Sequence, residues 1–400
     1  MSRIQRYFPQ SVLAITVLFM SAFALGVVAA QRGVDFAVYY LTAQALRRGA
    51  DIYALTGADF TQLAASYQIA NFTAPYLYSP LTAGVVVALT GLPYAAAFAI
   101  WNLLSVAAVI GSGLALSRFM SKRWIDPAVF LILLLWFPIY TTLYAGQIND
   151  FVLLCIALYL AWSTRRTFYP SGLALAVSLL IKPLAAPLIL HLGWRREWRR
   201  LWAVGVGLLA AVFITFLLAG LPSLLEYARS GSSTLDIGNF LSAYPPRQSV
   251  FGFFGRAFTA QPYSVPLIDQ PQLGLILSLI VSAVLIGGAG FLTWPRRSLL
   301  RDTFALETGL VLVTANLVLP MMWYHHLAVV VVAVIAAWHD ASRTLRAWLT
   351  VAMVLIATQG LLWHRFEGHL LLLSLGTYGL LIIYGVSAHR LWPLRWPGKG

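Results

Sequence analysis

Acidic residues are scarce in this chain. Thirteen Asp and Glu face 27 Lys and Arg in 400 residues, and only 10% of the sequence is charged, where a soluble domain carries about a quarter. That shortage excludes an ordinary soluble globular protein. The single cysteine, Cys155, lies in an apolar run, so no intrachain disulfide forms and the redox compartment is unmarked. Asp-x-Asp, the pair that would hold a divalent metal for a nucleotide-sugar pyrophosphate, is missing around Asp35 and Asp51. No Walker loop or dinucleotide fingerprint occurs, so ATP and cytosolic nucleotide sugars are not supported. No repeat relates the two halves, which weakens an inverted-repeat transporter.

What the chain has is apolar length. Hydrophobic residues make up 60% of it and its mean hydropathy is +0.79. Runs near the roughly 20 residues needed to cross a bilayer recur along most of it. This specifies an all-α polytopic membrane protein, one integral domain over residues 1–400. The net charge of +14 does not indicate nucleic acid, because the basic residues cluster between apolar runs, where they set orientation and meet anionic lipid headgroups. No motif marks a partner protein.

Arg3 and Arg6 precede an apolar run from Val12 to Ala30. Its small-residue end resembles a signal peptide, but it exceeds the usual signal core of about 7–15 residues, so a retained helix is expected and a cleaved leader is the alternative. With Arg3 and Arg6 cytoplasmic, residues 31–77 form a first outer loop. In it, Phe36, Tyr39, Tyr40, Ala43 and Leu46, stopped by Gly49, and then Phe60, Leu63, Ala64 and Tyr67 predict two short amphipathic helices on the membrane surface. Apolar segments follow at 79–92, 94–117, 127–145, 149–163, 172–192 and 201–220, then a long outer loop at 221–271 rich in Ser, Gly and Pro. Further spans fall at 272–292, 303–322, 324–338, 347–363 and 369–387. The sum is about 12 helices, or about 10–12 if short segments are re-entrant or broken, with both termini inside. Cytoplasmic ends carry Arg195, Arg196, Arg199 and Arg200, then Arg296, Arg297 and Arg301, then Arg343 and Arg346, then Arg390, Arg395 and Lys399. The middle of this map breaks the charge rule, because Arg118, Lys122, Arg123, Arg165 and Arg166 fall outside.

Against the shortage of acids, Asp35 is the candidate chemical centre. Spacing supports a plain helix N-cap before Phe36 equally well. The two roles are compatible, since a helix N-terminus lowers a carboxylate's pKa, and a carboxylate at the membrane–water boundary suits removal of a proton from a hydroxyl acceptor. Gly146-Gln147-Ile148-Asn149-Asp150 is a polar knot between apolar segments, or an ordinary turn. Lys182 interrupts 172–192 and is followed by Pro183 and Pro187. An intramembrane lysine suggests function, here a cation reaching a lipid phosphate at a broken helix, unless it snorkels to the boundary. In the long loop, Arg247-Gln248-Ser249 and Arg256 form a basic, hydrogen-bonding set among Phe251, Phe253 and Phe254, which either anchor the loop to lipid or simply pack. Trp323-Tyr324-His325-His326 joins an aromatic-belt position to imidazoles able to bind sugar hydroxyls or, when protonated, phosphate.

Asp35-Phe36 with Tyr39-Tyr40 and Gly49 to Tyr53, then Tyr78-Ser79-Pro80, Gly146-Gln147-x-Asn149, Lys182-Pro183, Gln248-Ser249 and His325-His326 resemble, in order and spacing, the polyprenyl-phosphate-mannose-dependent α-mannosyltransferases, glycosyltransferase family 87. The likeness covers roughly residues 30–330; no single motif is specific, but their order is. It implies the GT-C membrane fold and transfer of a sugar, most naturally mannose, from a polyprenyl phosphate to a hydroxyl of a lipid-linked or glycan acceptor, by inversion, outside a bacterial cytoplasmic membrane. It implies Asp35 as catalytic base, Lys182, His325 and His326 as polar cavity positions and Gln248-Ser249 as a loop signature. With Tyr39, Gln147, Asn149 and Arg256, these are the expected substrate-binding residues, with no metal and no cofactor beyond the lipid-linked donor. Arg247 departs from the family's pattern, which carries asparagine there. The rival class is a transporter or flippase of lipid-linked sugars, which would use an intramembrane cation but not Asp35 as a base. A non-catalytic scaffold leaves Lys182 and Gln147-x-Asn149 unexplained.

Overall fold

Apolar segments with no water to satisfy their backbone must bond within themselves, and helices do so. The computed structural model describes residues 3–70, 72, 76–163, 167–233, 241–294 and 303–395. Arg165, Arg166, Arg296, Arg297, Arg301 and Lys399 lie outside the described residues. Among those described, the chain is helical with no strand, apart from isolated bridges joining Ser264 to Gln261 and Gly368. The helices are α1 (Arg3–Ala29), α2 (Val34–Arg47), α3 (Gly57–Ser66), α4 (Pro80–Val87), α5 (Tyr94–Met120), α6 (Pro127–Leu135), α7 (Phe137–Ala145), α8 (Asn149–Ser163), α9 (Phe168–Ile181), α10 (Pro187–Trp194), α11 (Trp198–Ser233), α12 (Val250–Phe258), α13 (Pro271–Leu292), α14 (Thr303–Val318), α15 (Val331–Trp338), α16 (Arg343–Leu362) and α17 (Leu375–Arg395).

Six helices among the described residues are long and apolar enough to cross a membrane: Tyr7–Ala29, Tyr94–Met120, Trp198–Arg229, Pro271–Leu292, Arg343–Arg365 and Leu372–Pro393. The pair α6 and α7, bent by 56°, makes a seventh if taken as one. The break falls at Trp136, where Pro138 has no N–H to continue the ladder of α6. Other apolar segments are shorter helices, Asn149–Ser163, Phe168–Ile181, Pro183–Trp194, Thr303–Val318 and Tyr324–Trp338. The uniform series of spans drawn from hydropathy thus becomes a set of full-length helices alternating with short or interrupted ones.

Two compact units form, one from Met1–Leu134, Ile139–Leu184 and Arg199–Leu235, the other from Leu135–Pro138, Ala185–Trp198 and Asp236–Gly400. In the first unit the leading loop departs from its expected surface position. Every residue of α2 from Phe36 to Ala45 is buried, with α4 packed along it and rings of α5 set against Phe36. Phe36 stacks on Phe98 at 5.3 Å and lies 5.5 Å from Trp101. The helix closes with Gly49 N–H to Leu46 O and Ala50 N–H to Ala45 O, the paired bonds of a glycine-terminated helix. By contrast α3 keeps a surface character, burying only Phe60 and Ala64 behind a Thr56–Asp59 capping box.

Segment 79–92 is not a helix of membrane-spanning length. Its helix α4 has 8 residues, and the turn after it is pinned back to α2 by Tyr40 OH to Leu92 O and Gln44 Nε2 to Thr90 O, both 2.8 Å. The chain therefore enters α5 at the end where Asp35 lies. α5 runs away from Asp35, putting Arg118 some 24 residues, roughly 36 Å, beyond Tyr94. This places Arg118, Lys122 and Arg123 at the end of the unit opposite Asp35. Arg200 lies at that far end too, donating to Ser163 O at the close of α8. The stretch 221–271, expected to be a long loop, is also partly helical, since α11 continues to Ser233 through a kink at Gly220 and α12 occupies Val250–Phe258. In the second unit, buried Glu307 of α14 sits 3.1 Å from His191 Nε2 and pairs with Arg195, tying α14 to α10.

Candidate functional site

The site in the first unit begins with the entry to α2. Gly33 holds the N-cap position with φ 91°, so Asp35 is the second residue of the helix and makes no cap bond. The N-cap explanation of Asp35 is overturned. Its carboxylate instead takes a hydrogen bond from the Gln147 side chain and feels the charge of Lys182.

Gln147 is the junction of the site, and it is buried. Its Oε1 accepts from Tyr39 OH at 3.0 Å and from Lys182 Nζ at 3.3 Å, while Nε2 donates to Tyr78 OH at 2.8 Å. A carboxamide has two N–H donors and a carbonyl with two lone pairs, so one side chain serves Asp35, Lys182 and two tyrosines together. What brings it there is Gly146. That residue has φ 70°, its carbonyl accepts from Trp101 Nε1 at 3.0 Å, and a Cβ added to it would stand 2.5 Å from Phe36 Cβ. The turn thus presses backbone against the residue next to Asp35. Gly146→Ala is expected to cost about 2 kcal/mol of stability through strain and overpacking, read as a lowered melting temperature of the purified protein.

Lys182 is not in the middle of a span. α9 ends at Ile181, and Lys182 is extended, with φ −161° and ψ 127°, as expected of a residue preceding proline. Its ammonium lies 5.4 Å over the Tyr78 ring. Ser79 Oγ donates to Leu180 O at 3.1 Å and fixes the same junction from α4.

Burial raises the Asp35 carboxyl above the ordinary carboxylate range, against the opposing effects of the Gln147 hydrogen bond and the Lys182 charge. Burial likewise pushes the Tyr39 phenol well up, so it is a neutral donor. Tyr39 and Tyr78 meet edge to face at 4.8 Å. From them a row of rings continues through Tyr76, Tyr53 and Tyr227 at 5.7, 6.0 and 6.2 Å. Tyr53 and Tyr76 are locked by their hydroxyls, which donate to Tyr78 O and Ser79 O at 2.6 and 2.8 Å. The sequence reading did not name Tyr53, Tyr76, Tyr78 and Tyr227 as site residues; the Gly49-to-Tyr53 and Tyr78-Ser79-Pro80 motifs were the available signals for two of them. Asn149 is buried in the first turn of α8.

The other expected residues belong to the second unit. Gln248 is buried, donating to Pro245 O and Leu373 O at 2.6 and 2.9 Å and accepting from Thr377 N–H at 2.9 Å. Ser249 is the N-cap of α12. Arg256 is fully buried, donating to Ser374 Oγ at 3.1 Å and to Arg247 O at 2.9 Å. The hydrogen bonds of Gln248 and Arg256 therefore hold α12 and the turn before it to the residues entering α17, while Ser249 accepts from Gly252 N–H within α12. His326 Nδ1 accepts from Trp323 N–H at 3.1 Å, and His325 stacks on Trp323 at 6.1 Å. Among the described residues no three His, Cys, Asp or Glu side chains group closely enough to hold a metal ion.

The model of glycosyltransferase family 87 matches residues 76–320, a stretch that contains Tyr78, Gln147, Lys182, Gln248, Ser249 and Arg256 and stops short of His325. Asp35 precedes it. No curated protein and no solved structure matches the chain. The match spans more than half of a helical chain with membrane-length helices, and on that ground the protein belongs to glycosyltransferase family 87 and is a polytopic membrane glycosyltransferase.

Proposed function

We propose that this glycosyltransferase moves a sugar, mannose in the first instance, from a polyprenyl phosphate to a hydroxyl of a lipid-linked or glycan acceptor, with inversion and with Asp35 as general base. The observation that carries this reading is the meeting of Asp35 and Lys182 on one side chain, Gln147, at the ends of helices. A base and a cation held a short distance apart are what displacement of a lipid phosphate requires. Asp35 takes the proton of the acceptor hydroxyl as its oxygen attacks the anomeric carbon, and the bond to the phosphate breaks on the opposite face. Lys182 offsets the charge that develops on the departing phosphate. A phosphate leaving group needs little protonation, so one carboxylate suffices where a glycosidase uses two. A β-linked donor gives an α-linked product.

The charge distribution supports an outward orientation for this chemistry. Arg118, Lys122, Arg123 and Arg200 gather at the end of the first unit opposite Asp35, and the positive-inside rule assigns such an end to the cytoplasm. On this reading the donor headgroup is met on the outer face of a bacterial cytoplasmic membrane. Incubating the purified protein with synthetic polyprenyl-phosphate-mannose and a panel of lipid and oligosaccharide acceptors, without nucleotide, tests it directly. Transfer is the expected result, and translocation of the donor without transfer would instead identify a flippase.

The pH profile follows from burial. A general base works deprotonated, and Asp35 is raised above its ordinary value of 3.8. The acid limb of kcat/KM should therefore lie above the usual carboxylate range, with activity falling as pH drops through the raised value. A limb at the ordinary value of a solvated aspartate would count against Asp35 as the base.

A further inference from the structure

The first unit carries a second feature at the end remote from Asp35. Between the last turns of α5 and α8 lies a cleft of about 580 Å³, lined on its walls by Gly111, Leu114, Ala115, Leu158 and Ala161. Its mouth is formed by Arg118, Lys122 and Trp124. The short side chains of Ala115 and Ala161 line it, while Gly111 lets Leu154 of α8 come close. The mouth is built rather than incidental. Arg118 Nη1 donates to Lys122 O at 2.7 Å, and its guanidinium lies 5.3 Å over the Trp124 ring. That bond holds Lys122 with φ 58°, a backbone state in which glycine is easier but a cation is present. Trp124 is 70% exposed, the position of a ring at a membrane–water interface. No acid lines the cleft. The nearby carboxylate of Asp126 is turned to α6, where it accepts from Ala128 N–H at 3.0 Å.

We propose that this cleft is a site for an anionic phospholipid of the bilayer, with the phosphate on Arg118 and Lys122 and one acyl chain between α5 and α8. The ligand class follows from charge and shape together. Two cations without a facing acid select an anion, and basic pockets between membrane helices suit acidic lipid headgroups. A groove with apolar walls selects an anion that carries a hydrocarbon chain, which a soluble phosphate lacks. The site is separate from the proposed donor position, which lies at the other end of α5.

Native mass spectrometry of the full chain in detergent, titrated with dioleoyl phosphatidylglycerol and in parallel with dioleoyl phosphatidylcholine, tests the site. Tighter binding of the anionic lipid is expected, with that preference falling about fivefold on Lys122→Ala. Arg118 also holds the turn, so the cleft is tested independently by Ala161→Phe, which fills it without removing charge and should displace the same lipid. The double variant Arg343→Ala/Arg346→Ala removes basic residues at the start of α16 that do not line the cleft, and should leave the preference intact. Equal binding of the two lipids, an unchanged preference in both Lys122→Ala and Ala161→Phe, or displacement of the lipid by millimolar inorganic phosphate would each overturn the proposal.

Discussion

Asparagine at position 35 lowers kcat by about 10²–10⁴-fold, the contribution of a positioned general base, and leaves the protein folded. The substitution preserves shape while removing the negative charge and with it the ability to accept a proton. Little stability is at risk, because Asp35 caps nothing. The N-cap of α2 is Gly33, and no side-chain bond to the helix end depends on the carboxylate. The loss of a negative charge in the first helical turn is worth only about 0.3–1 kcal/mol, and removing a partly desolvated carboxylate offsets some of that. The decisive comparison is turnover beside melting temperature and donor binding for the purified variant. Turnover near that of the unmodified protein would eliminate Asp35 as the base, while collapse of turnover with intact melting and donor binding isolates the chemical step.

Much of the fold was readable because hydropathy needs no tertiary information. The helical class, the ends of α5 and α13, the break at Lys182-Pro183 and the helical stop at Gly49 all follow from local composition. What composition left open was parity. Segment 79–92 has the composition of a span, and only the bonds from Tyr40 and Gln44 to the turn after it show that the chain turns back. Those bonds join residues 46 and 52 apart in sequence, beyond the reach of any periodicity. The basic residues at 118, 122 and 123, which fall outside on the hydropathy map, already marked this stretch as its weak part. The amphipathic spacing in α2 was real, but it could not say that a second apolar surface would cover the opposite face. At the candidate site, the scarcity of acids pointed to Asp35, and the cost of a lysine in an apolar run pointed to Lys182. The junction between them was less legible. Gln147 reads as a turn residue until Gly146, with φ 70°, brings it against α2. The tyrosine row was hidden for a similar reason, since Tyr53, Tyr76 and Tyr227 come from separate stretches and meet only in the folded unit.

Lys182→Met should raise the donor KM by about 30- to 1,000-fold, equivalent to about 2–4 kcal/mol for removing one partner of a desolvated charge pair. Methionine keeps most of the side-chain length, so packing over the Tyr78 ring is largely retained, while the ammonium that donates to Gln147 Oε1 is lost. The same substitution has a second consequence at Asp35. The Lys182 charge now lowers the Asp35 pKa against the effect of burial. Without it the carboxyl holds its proton to higher pH, and the acid limb of kcat/KM should move further up. A lysine that merely packs would give neither result; one that only tunes Asp35 would move the limb and leave donor KM unchanged. A phosphate-binding lysine gives both, and Lys182→Arg, which restores a cation, should recover donor KM in part. Because KM reports binding only when chemistry is slow relative to donor dissociation, the rise should be repeated as a weaker direct affinity for the polyprenyl-phosphate sugar in the Asp35→Asn background, where turnover no longer contributes. An unchanged affinity there would remove Lys182 from the phosphate.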